Sequence, residues 1–243
     1  MNTESAKLEL PAWLNVVAVF DTETTGLNLK ESRIVTAALH LVDAAGNVLD
    51  GGKDWLINPG IPIPAEASRV HNVYDKDVVN AQESKSGVLE IVSAIQNYFS
   101  RGIPVVAYNA PYDFTILYYE ALRHGLNPVE FGFVIDPLVI DKTIDKYRKG
   151  KRTLESVAER YKVSLENAHT AKDDAVAAGQ VGFAMLRYFL AQDKPVVPFP
   201  SSLQQLHEMQ TKWADEIEES YSAWRKQDRP DYVPSFGWPI KKL

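Results

Sequence analysis

The stretch Val16-Val17-Ala18-Val19-Phe20-Asp21-Thr22-Glu23-Thr24-Thr25-Gly26-Leu27 carries more structural information than any other part of the sequence. It begins with an apolar run, which predicts a buried strand. Asp21 and Glu23 follow with a spacing of two, so both carboxylates are expected on one face of that strand. Two like charges there are costly unless a cation lies between them, and hard divalent cations prefer carboxylate oxygens. The alternative is that the strand ends at the surface, where both side chains are solvated.

The composition fits a globular protein with one main domain and an extension. The 243 residues are 45% hydrophobic and 24% charged, which allows a sizeable core. There is no cysteine, so disulfides and thiolate metal sites are excluded. The net charge is -6, whereas proteins that bind nucleic acid by general charge attraction are usually basic. Nucleic-acid binding would therefore need a local basic patch or bound cations.

The sequence shows no signal for export or for membrane insertion. Residues 1–7 lack a basic region followed by an apolar stretch, which a signal peptide requires. No apolar run approaches the length of a membrane span. We expect a cytoplasmic protein without membrane association.

The order of strand and helix patterns predicts an α/β fold. Residues 34–57 predict a hairpin, because two runs of apolar and β-branched residues flank a turn at 43–47. Further strands are predicted at 104–108 and 133–136, and helices at 86–99, 111–124, 154–161 and 171–190. A three-stranded meander, followed by helices that alternate with two strands, predicts a mixed five-stranded sheet flanked by helices.

The sequence divides into a main domain, residues 1–191, and an extension, residues 192–243. Several prolines predict a linker at the start of the extension. Residues 201–227 then predict an amphipathic helix, with Ser202 and Gln205 as a capping box, and the tail is rich in aromatic residues and proline. The apolar face of this helix is expected to pack on the main domain, and binding of a partner protein is the alternative.

Two further segments place acidic residues at the ends of core elements. Asp113 lies in the first turn of the helix after the second core strand, where an acidic residue also suits the helix dipole. His169 and Asp173 are one turn apart at the start of a helix, with Thr170 as the expected N-cap. Asp174 is adjacent, but it is expected to point elsewhere and is not assigned to a metal.

The four carboxylates and the histidine are the residue types that a two-metal site for phosphodiester hydrolysis uses. Two Mg²⁺ or Mn²⁺ ions would stabilise the attacking and leaving oxygens. Asp21 would bridge both ions, and Glu23, Asp113 and Asp173 would complete the ligands. His169, with an unperturbed pKa of about 6.5, is suited to take a proton from the attacking water.

Three motifs carry a resemblance to a known family: Phe20-Asp-Thr-Glu-Thr-Thr-Gly-Leu27, Tyr108-Asn-Ala-Pro-Tyr-Asp113 and His169-Thr-Ala-Lys-Asp173. With them the chain resembles the DEDDh (DnaQ-like) 3′–5′ exonucleases, whose best-known member is the proofreading epsilon subunit of the bacterial replicative DNA polymerase. The resemblance covers about residues 16–190 and implies a ribonuclease-H-like sheet. The histidine points to the subgroup that uses His where its sister subgroup uses Tyr.

The resemblance also implies contacts to the substrate. Thr24 and Leu27 match residues that line the terminal base and sugar, and Asn109 matches a polar residue beside the scissile end. His71 matches the histidine of a His-Gly-Ile segment near the 3′-terminal nucleotide, although an ordinary loop histidine is the alternative. Asn72 replaces the glycine of that segment, so the local backbone could differ.

A basic segment precedes the predicted helix at 154–161. Residues 146–152 contain five basic residues in seven, and we expect Lys149, Lys151 and Arg152 to hold phosphates of an incoming strand. The alternative is a solvated loop without function.

We expect an enzyme that releases nucleoside monophosphates from single-stranded or frayed DNA 3′ ends, as in proofreading, repair or turnover. Thr24-Thr25 after Glu23, as in the proofreading-like members, favours DNA over RNA. An exonuclease that trims RNA 3′ ends is one alternative. The other is an inactive module that binds nucleic acid or a DNA polymerase, with the helix 201–227 as the contact to a partner protein.

Overall fold

A mixed six-stranded sheet forms the centre of the computed structural model, which describes residues 8–165, 170–241 and 243. Its strands in chain order are β1 (Val16–Thr24), β2 (Ile34–Asp43), β3 (Val48–Asn58), β4 (Gln82–Glu83), β5 (Val105–Val106) and β6 (Val134–Ile135). The spatial order is β4-β3-β2-β1-β5-β6. Strands β1, β2 and β3 form an antiparallel meander, β5 and β6 run parallel to β1, and β4 runs parallel to β3. The predicted α/β class and mixed sheet are confirmed.

Helices cover both faces of the sheet. In the described residues they are α1 (Ala65–His71), α2 (Asp75–Val78), α3 (Ser84–Ser100), α4 (Ala110–Arg123), α5 (Pro137–Ile144), α6 (Leu154–Tyr161), α7 (Ala171–Leu190), α8 (Leu203–Arg225) and a 3-10 helix, Ala12–Leu14. The prediction of five strands is wrong, because β4 consists of two polar residues, Gln82 and Glu83, whereas the equally short β5 and β6 lie within apolar runs that marked them in the sequence. Helices α1, α2 and α5 were not predicted. Helices α1 and α2 have only seven and four residues, and α5, which is as long as the predicted α6, begins with an unbroken apolar run at 138–140 that hides the helical period. Across the described part of the chain, every helix is too short or too polar to span a membrane.

Strand β1 continues beyond its apolar run because β2 pairs with it along its whole length, with Glu23 opposite Thr36 and, after an irregularity, Thr24 opposite Ile34. Asp21 and Glu23 therefore lie on a paired strand and not on a fraying end. Helix α7 packs across the same face and approaches closely at Gly179, where a Cβ atom would come within 2.4 Å of Val19 Cγ1. The glycine thus lets α7 lie directly against the face of β1 that carries both carboxylates.

Helix α4 covers the opposite face of β1. Phe20 stacks on Phe114 of α4 with the ring centroids 5.5 Å apart. Thr22 points to this face too, because side chains alternate along a strand. Asp113 immediately precedes Phe114, so the stacked rings fix the first turn of α4 beside the carboxyl end of β1.

Helix α8 closes the outer edge of β6 with two side chains. The Gln210 amide accepts a hydrogen bond from Asp136 N at 2.7 Å and donates one to Val134 O at 3.0 Å. His207 Nδ1 accepts a hydrogen bond from Val134 N at 3.1 Å. The outward backbone groups of this edge strand are thus satisfied from α8.

The apolar face of α8 packs on the main domain, as expected for the predicted helix 201–227. Leu206 and Trp213 are buried in the main core, which also contains Trp238 of the tail. Tyr221 and Trp224, near the end of α8, are 42% and 53% exposed. Only the last part of the predicted apolar face is therefore open to solvent.

Candidate active site

Three carboxylates meet at the carboxyl end of β1. One oxygen from each of Asp21, Glu23 and Asp174 lies within 4.8 Å of the other two. Asp174 comes from the first turn of α7, which packs on the face of β1 that carries the other two. The prediction that Asp174 points elsewhere is wrong.

Asp173 has a different environment from its neighbour. Its backbone N donates to Thr170 Oγ1 at 3.2 Å, and Thr170 Oγ1 donates to Asp173 Oδ2 at 2.8 Å. Successive residues of a helix point about 100° apart, so the two adjacent carboxylates cannot both face β1. Asp173 therefore belongs to the N-terminal cap of α7. The prediction that it joins Asp21 at the metal site is not met by the structure. His169, the predicted proton acceptor, lies outside the described residues.

Asp113 approaches from the opposite face of the sheet. Its carboxylate is buried, and Oδ1 accepts hydrogen bonds from Thr22 N at 3.0 Å and Thr22 Oγ1 at 2.7 Å. Thr22 lies between Asp21 and Glu23 in the strand, and the charge of Asp113 acts on both of them. The structure thus brings three of the four predicted carboxylates together, with Asp174 in place of the fourth.

The carboxylates of the site hold their protons more tightly than isolated carboxylates, because they are buried and close to one another. Desolvation raises the pKa of Glu23 to about 8, and the charges of Asp174 and Asp113 act in the same direction. Desolvation likewise raises the pKa of Asp21 well above its ordinary value and that of Asp113 to about 7. In the described residues, the ion pairs of Lys, Arg and His do not involve Asp21, Glu23 or Asp113. Carboxylates that crowd together in this way fit hard divalent cations.

A cavity of about 450 Å³ opens beside Glu23. It is lined by the β1 end and its following loop, by α1 and by one residue of α4: Glu23, Thr24, Thr25, Gly26, Leu27, Pro64, Glu66, Ala67, Val70, His71 and Tyr112. Leu27 and Val70 are 85% and 50% exposed, so two apolar side chains stand free at its mouth. The predicted substrate residues Thr24, Leu27 and His71 therefore share one cavity next to the carboxylates.

Tyr112 fixes the loop that forms one wall of this cavity. Its hydroxyl lies 2.6 Å from Thr24 Oγ1 and donates to Gly26 O at 3.0 Å. Burial raises the pKa of Tyr112 to about 12, so the hydroxyl stays protonated. Tyr112 was not predicted from the sequence, although its position next to Asp113 was a usable signal.

One ring nitrogen of His71 makes no hydrogen bond of normal geometry within the part of the chain that the structure describes. Nδ1 accepts a hydrogen bond from Val73 N at 3.1 Å, which places the proton of the neutral ring on Nε2. Nε2 is buried, and no described residue makes a hydrogen bond of normal geometry with it. Burial lowers the pKa of His71, and the Thr24 carbonyl partly offsets that shift. Asn72 takes the left-handed conformation with φ 58°, which asparagine tolerates, so the turn expected of a glycine is kept.

Comparisons with known proteins decide the family. The RNase_T family model, described as an exonuclease, matches residues 18–181, which is more than half of the chain. The chain belongs to this exonuclease family. The predicted family and enzyme class are thereby confirmed.

Relatives of this exonuclease include much larger proteins. A PolC-type DNA polymerase III of Lacticaseibacillus paracasei is 32% identical over 168 residues, 69% of this chain and 11% of the relative. A DNA polymerase III subunit epsilon-like protein of Rhodobacter capsulatus is 31% identical over 190 residues, 75% of this chain and 25% of the relative. The chain therefore spans only 11% and 25% of these two curated relatives.

Solved structures show the same fold. Exonuclease I of E. coli in complex with a dA16 oligonucleotide superposes with a TM-score of 0.58 at 16% identity, covering 74% of this chain and 41% of that one. Exonuclease X in complex with 5′ overhanging duplex DNA gives a TM-score of 0.52 at 17% identity, covering 80% of this chain and 99% of that one. The ribonuclease-H-like fold implied by the motifs is confirmed.

Asn109 of the exonuclease lies at the start of α4 and not in the cavity beside Glu23. It adopts the left-handed conformation with φ 65°, and its backbone N donates to Asp136 Oδ1 at 3.0 Å. It lines a separate cavity of about 110 Å³, together with Trp238 and Lys241 of the tail. The role of Asp136 was not predicted from the sequence, although an Asp before Pro137 is a usual N-cap signal.

The basic segment 146–152 has an inner and an outer part. The guanidinium groups of Arg148 and Arg152 both contact the buried carboxylate of Asp141, and each side chain is only 14% exposed. Arg152 is therefore not free to bind phosphates as predicted, because its charge is used inside the protein. Lys149 and Lys151 are exposed.

Proposed function

We propose that this exonuclease removes nucleoside monophosphates from DNA 3′ ends by metal-dependent hydrolysis of the terminal phosphodiester. The observation that carries the proposal is the meeting of Asp21, Glu23 and Asp174 within 4.8 Å, beside a cavity with apolar side chains at its mouth. Such a site can hold a charged phosphodiester only if bound cations outweigh its negative charge.

The carboxylates would hold the cations from both faces of the sheet. Asp21, Glu23 and Asp174 would be direct ligands, and Asp113, held by Thr22, would complete the set. Two bound divalent cations, Mg²⁺ or Mn²⁺, would supply positive charge that stabilises the attacking and leaving oxygens of the phosphodiester.

The cavity residues would bind the 3′-terminal nucleotide. Leu27 and Val70 offer apolar surface for the faces of the base. His71 offers an Nε2–H donor to an oxygen of the terminal sugar or phosphate, because Nδ1 is already used by Val73. Thr24, oriented by Tyr112, would line the sugar. These contacts would orient the scissile bond at the carboxylates.

Proton transfer would fall to His169. A histidine whose pKa lies near neutrality can accept a proton from the attacking water at a ring nitrogen. His169 precedes Asp174 by five positions in the chain, so the start of α7 would carry both a ligand and the proton acceptor.

The exposed lysines of the basic segment would guide the strand behind its 3′ end. Tyr108 OH donates to Arg152 O at 2.6 Å, which joins the segment to the residue before Asn109 at the start of α4. Tyr147, 88% exposed, offers a ring on which a base can stack, next to Lys149 and Lys151. The inner arginines would keep this surface in place.

The DNA substrate is supported by the named relatives, a DNA polymerase and a polymerase subunit-like protein, and by neighbours in complex with DNA. Association with a DNA polymerase is a second part of the proposal. Since Leu206 and Trp213 are buried, the exposed Tyr221 and Trp224 are the part of α8 that could contact a partner.

The experiment is a time course on single-stranded DNA and matched RNA, both labelled at the 5′ end, with Mg²⁺, Mn²⁺ or EDTA. We expect a ladder that shortens from the 3′ end, requires a divalent cation and forms faster on DNA. Faster cleavage of RNA would change the substrate assignment. No cleavage of either, under conditions in which Mn²⁺ binding is measurable, would overturn the proposed activity.

A further inference from the structure

We infer that Gln210 of α8 and Trp238 of the tail are positioning residues for the metal-binding site, because they hold Asp136, which fixes the first turn of α4 and with it Asp113. The inference rests on the proposed function. It concerns a part of the chain beyond residues 18–181, the span that the exonuclease family model matches.

Asp136 is a buried junction of backbone segments. Its Oδ1 accepts hydrogen bonds from Asn109 N and Leu138 N, both at 3.0 Å. Its Oδ2 accepts from Ala110 N at 3.0 Å and from Trp238 Nε1 at 3.3 Å. One side chain, 1% exposed, thus joins the starts of α4 and α5 to the tail. Hydrogen bonds to a buried carboxylate are strong, so this junction is rigid.

The extension contacts Asp136 at both its main chain and its side chain. Gln210 Oε1 accepts from Asp136 N at 2.7 Å, while Trp238 Nε1 reaches the carboxylate. Among the described residues, the remaining hydrogen bonds of the Gln210 amide go to Val134 O and Leu206 O. Gln210 and Trp238 therefore act on the site through Asp136 and not by contacting the carboxylates of β1.

The first turn of α4 transmits this constraint. Asn109 holds the left-handed conformation, which asparagine tolerates although it is less populated than the right-handed one, and the bond from its N to Asp136 stabilises it. Ala110 opens the helix, and Asp113 follows within one turn. Asp113 in turn accepts both hydrogen bonds from Thr22, between the two metal-binding residues of β1. Metal sites tolerate ligand displacements of only about 0.2 Å, so a small movement of this turn weakens the site.

The test uses Trp238→Phe, which keeps an aromatic ring and removes only the N–H donor. Trp55→Phe is the matched control, because it also removes a buried indole N–H donor, in this case to Glu90 at 3.1 Å, at a residue of β3 without a role in the site. Asp136→Asn is the stronger variant, since an amide nitrogen cannot accept the hydrogen bonds of one oxygen. The readouts are the Kd of Mn²⁺ for the protein by calorimetry, the dependence of the hydrolysis rate on Mn²⁺, KM for single-stranded DNA and the melting temperature.

We expect Trp238→Phe to weaken Mn²⁺ binding roughly two- to tenfold, the effect of one lost hydrogen bond. Asp136→Asn should weaken it roughly 10- to 100-fold, the usual range for groups that orient metal ligands. KM should change little, because the cavity beside Glu23 is untouched, and excess Mn²⁺ should restore the rate. Trp55→Phe should match the wild type in Mn²⁺ affinity, hydrolysis rate and KM.

The outcomes separate the two proposals. Wild-type protein that neither binds Mn²⁺ nor hydrolyses DNA would overturn the proposed function. Active wild-type protein together with a Trp238→Phe variant that binds Mn²⁺ as tightly as Trp55→Phe would overturn the positioning role. A rate loss that excess Mn²⁺ does not restore would also overturn it, since that pattern indicates general loss of structure. If Asp136→Asn fails to fold, Trp238→Phe decides alone.

Discussion

Two adjacent aspartates at the start of α7 have different tasks because a helix turns by about 100° between neighbours. Asp174 faces Asp21 and Glu23 across the end of β1. Asp173 exchanges hydrogen bonds with Thr170 and belongs to the helix cap. The difference gives a pair of variants that are chemically identical and one position apart.

We predict that Asp174→Asn abolishes hydrolysis, with a loss of at least about 100-fold, because a direct ligand matters more than the groups that orient it. Asp173→Asn should keep most of the activity and cost less than about 1 kcal/mol of stability, since only a cap is weakened. Initial rates on labelled single-stranded DNA and denaturant unfolding measure the two effects. An inactive Asp173→Asn beside an active Asp174→Asn would reverse the assignment.

A separate prediction concerns His169. Replacement by alanine should lower the single-turnover rate by about 10²–10⁴-fold, the usual contribution of a general base. Mn²⁺ affinity should stay close to that of the wild type, because the carboxylates are unchanged. Calorimetry with Mn²⁺ is the control, and a large loss of affinity would show that His169 acts on the metal site and not on the water.

At the scale of elements, the basic segment 146–152 has arginines that are held in ion pairs with a buried carboxylate and lysines that are exposed to solvent. Arg148 and Arg152 are bound to Asp141, so they shape the segment without adding charge to its surface. Lys149 and Lys151 extend into solvent. A surface held in this way can bind a strand with little loss of conformational entropy.

The double substitution Lys149→Gln and Lys151→Gln should raise KM for single-stranded DNA and leave kcat largely unchanged. The slope of log affinity against log salt should fall by about 0.7 for each lost phosphate contact. Salt titrations of KM measure this. Lys85→Gln with Lys226→Gln is the matched control, because both lysines are exposed and the charge change is the same. Equal slopes in the two double variants would rule out a specific role for the segment.

The sequence predicted the long elements well and the short ones poorly. The predicted hairpin at 34–57 and the helix at 171–190 agree with the structure, because each contains several repeats of its period. Strand β4 has two residues and α2 has four, so neither shows a period. Within the candidate site, the spacing of Asp21 and Glu23 fixed a common face, whereas the choice between Asp173 and Asp174 depended on how α7 packs. The contact of Trp238 with Asp136 joins positions 102 apart, and no local pattern encodes it.

At the scale of the whole molecule, the fold brings mutually repelling carboxylates together at the carboxyl end of β1. Asp21, Glu23 and Asp113 have raised pKa values without a metal. The folded protein therefore holds protons at a pH where the unfolded chain has released them. Because the folded state binds more protons than the unfolded chain, the free energy of unfolding falls as the pH rises towards the folded-state pKa values.

We predict that the metal-free protein loses about 1 kcal/mol or more of unfolding free energy between pH 7 and pH 8.5, because Glu23 releases its proton near pH 8. His71 and His207 have lowered pKa values and titrate below this range. Excess Mg²⁺ should remove the loss, since cation binding replaces the protons. Urea unfolding with EDTA or Mg²⁺ measures this, and Glu23→Gln should flatten the metal-free profile. A metal-free stability that rises with pH in this window would contradict the prediction.

The Gln210 amide at the edge of β6 has a consequence for how copies of the protein meet. An open edge strand is a template on which another chain can add a strand, which leads to unwanted oligomers or aggregates. Gln210 imitates a peptide group, and with His207 it occupies the N–H and the C=O of Val134 and the N–H of Asp136. No strand of another molecule can therefore pair with this edge while α8 is docked. Detachment of α8 would leave the backbone groups of β6 unpaired and able to bind a strand of another chain.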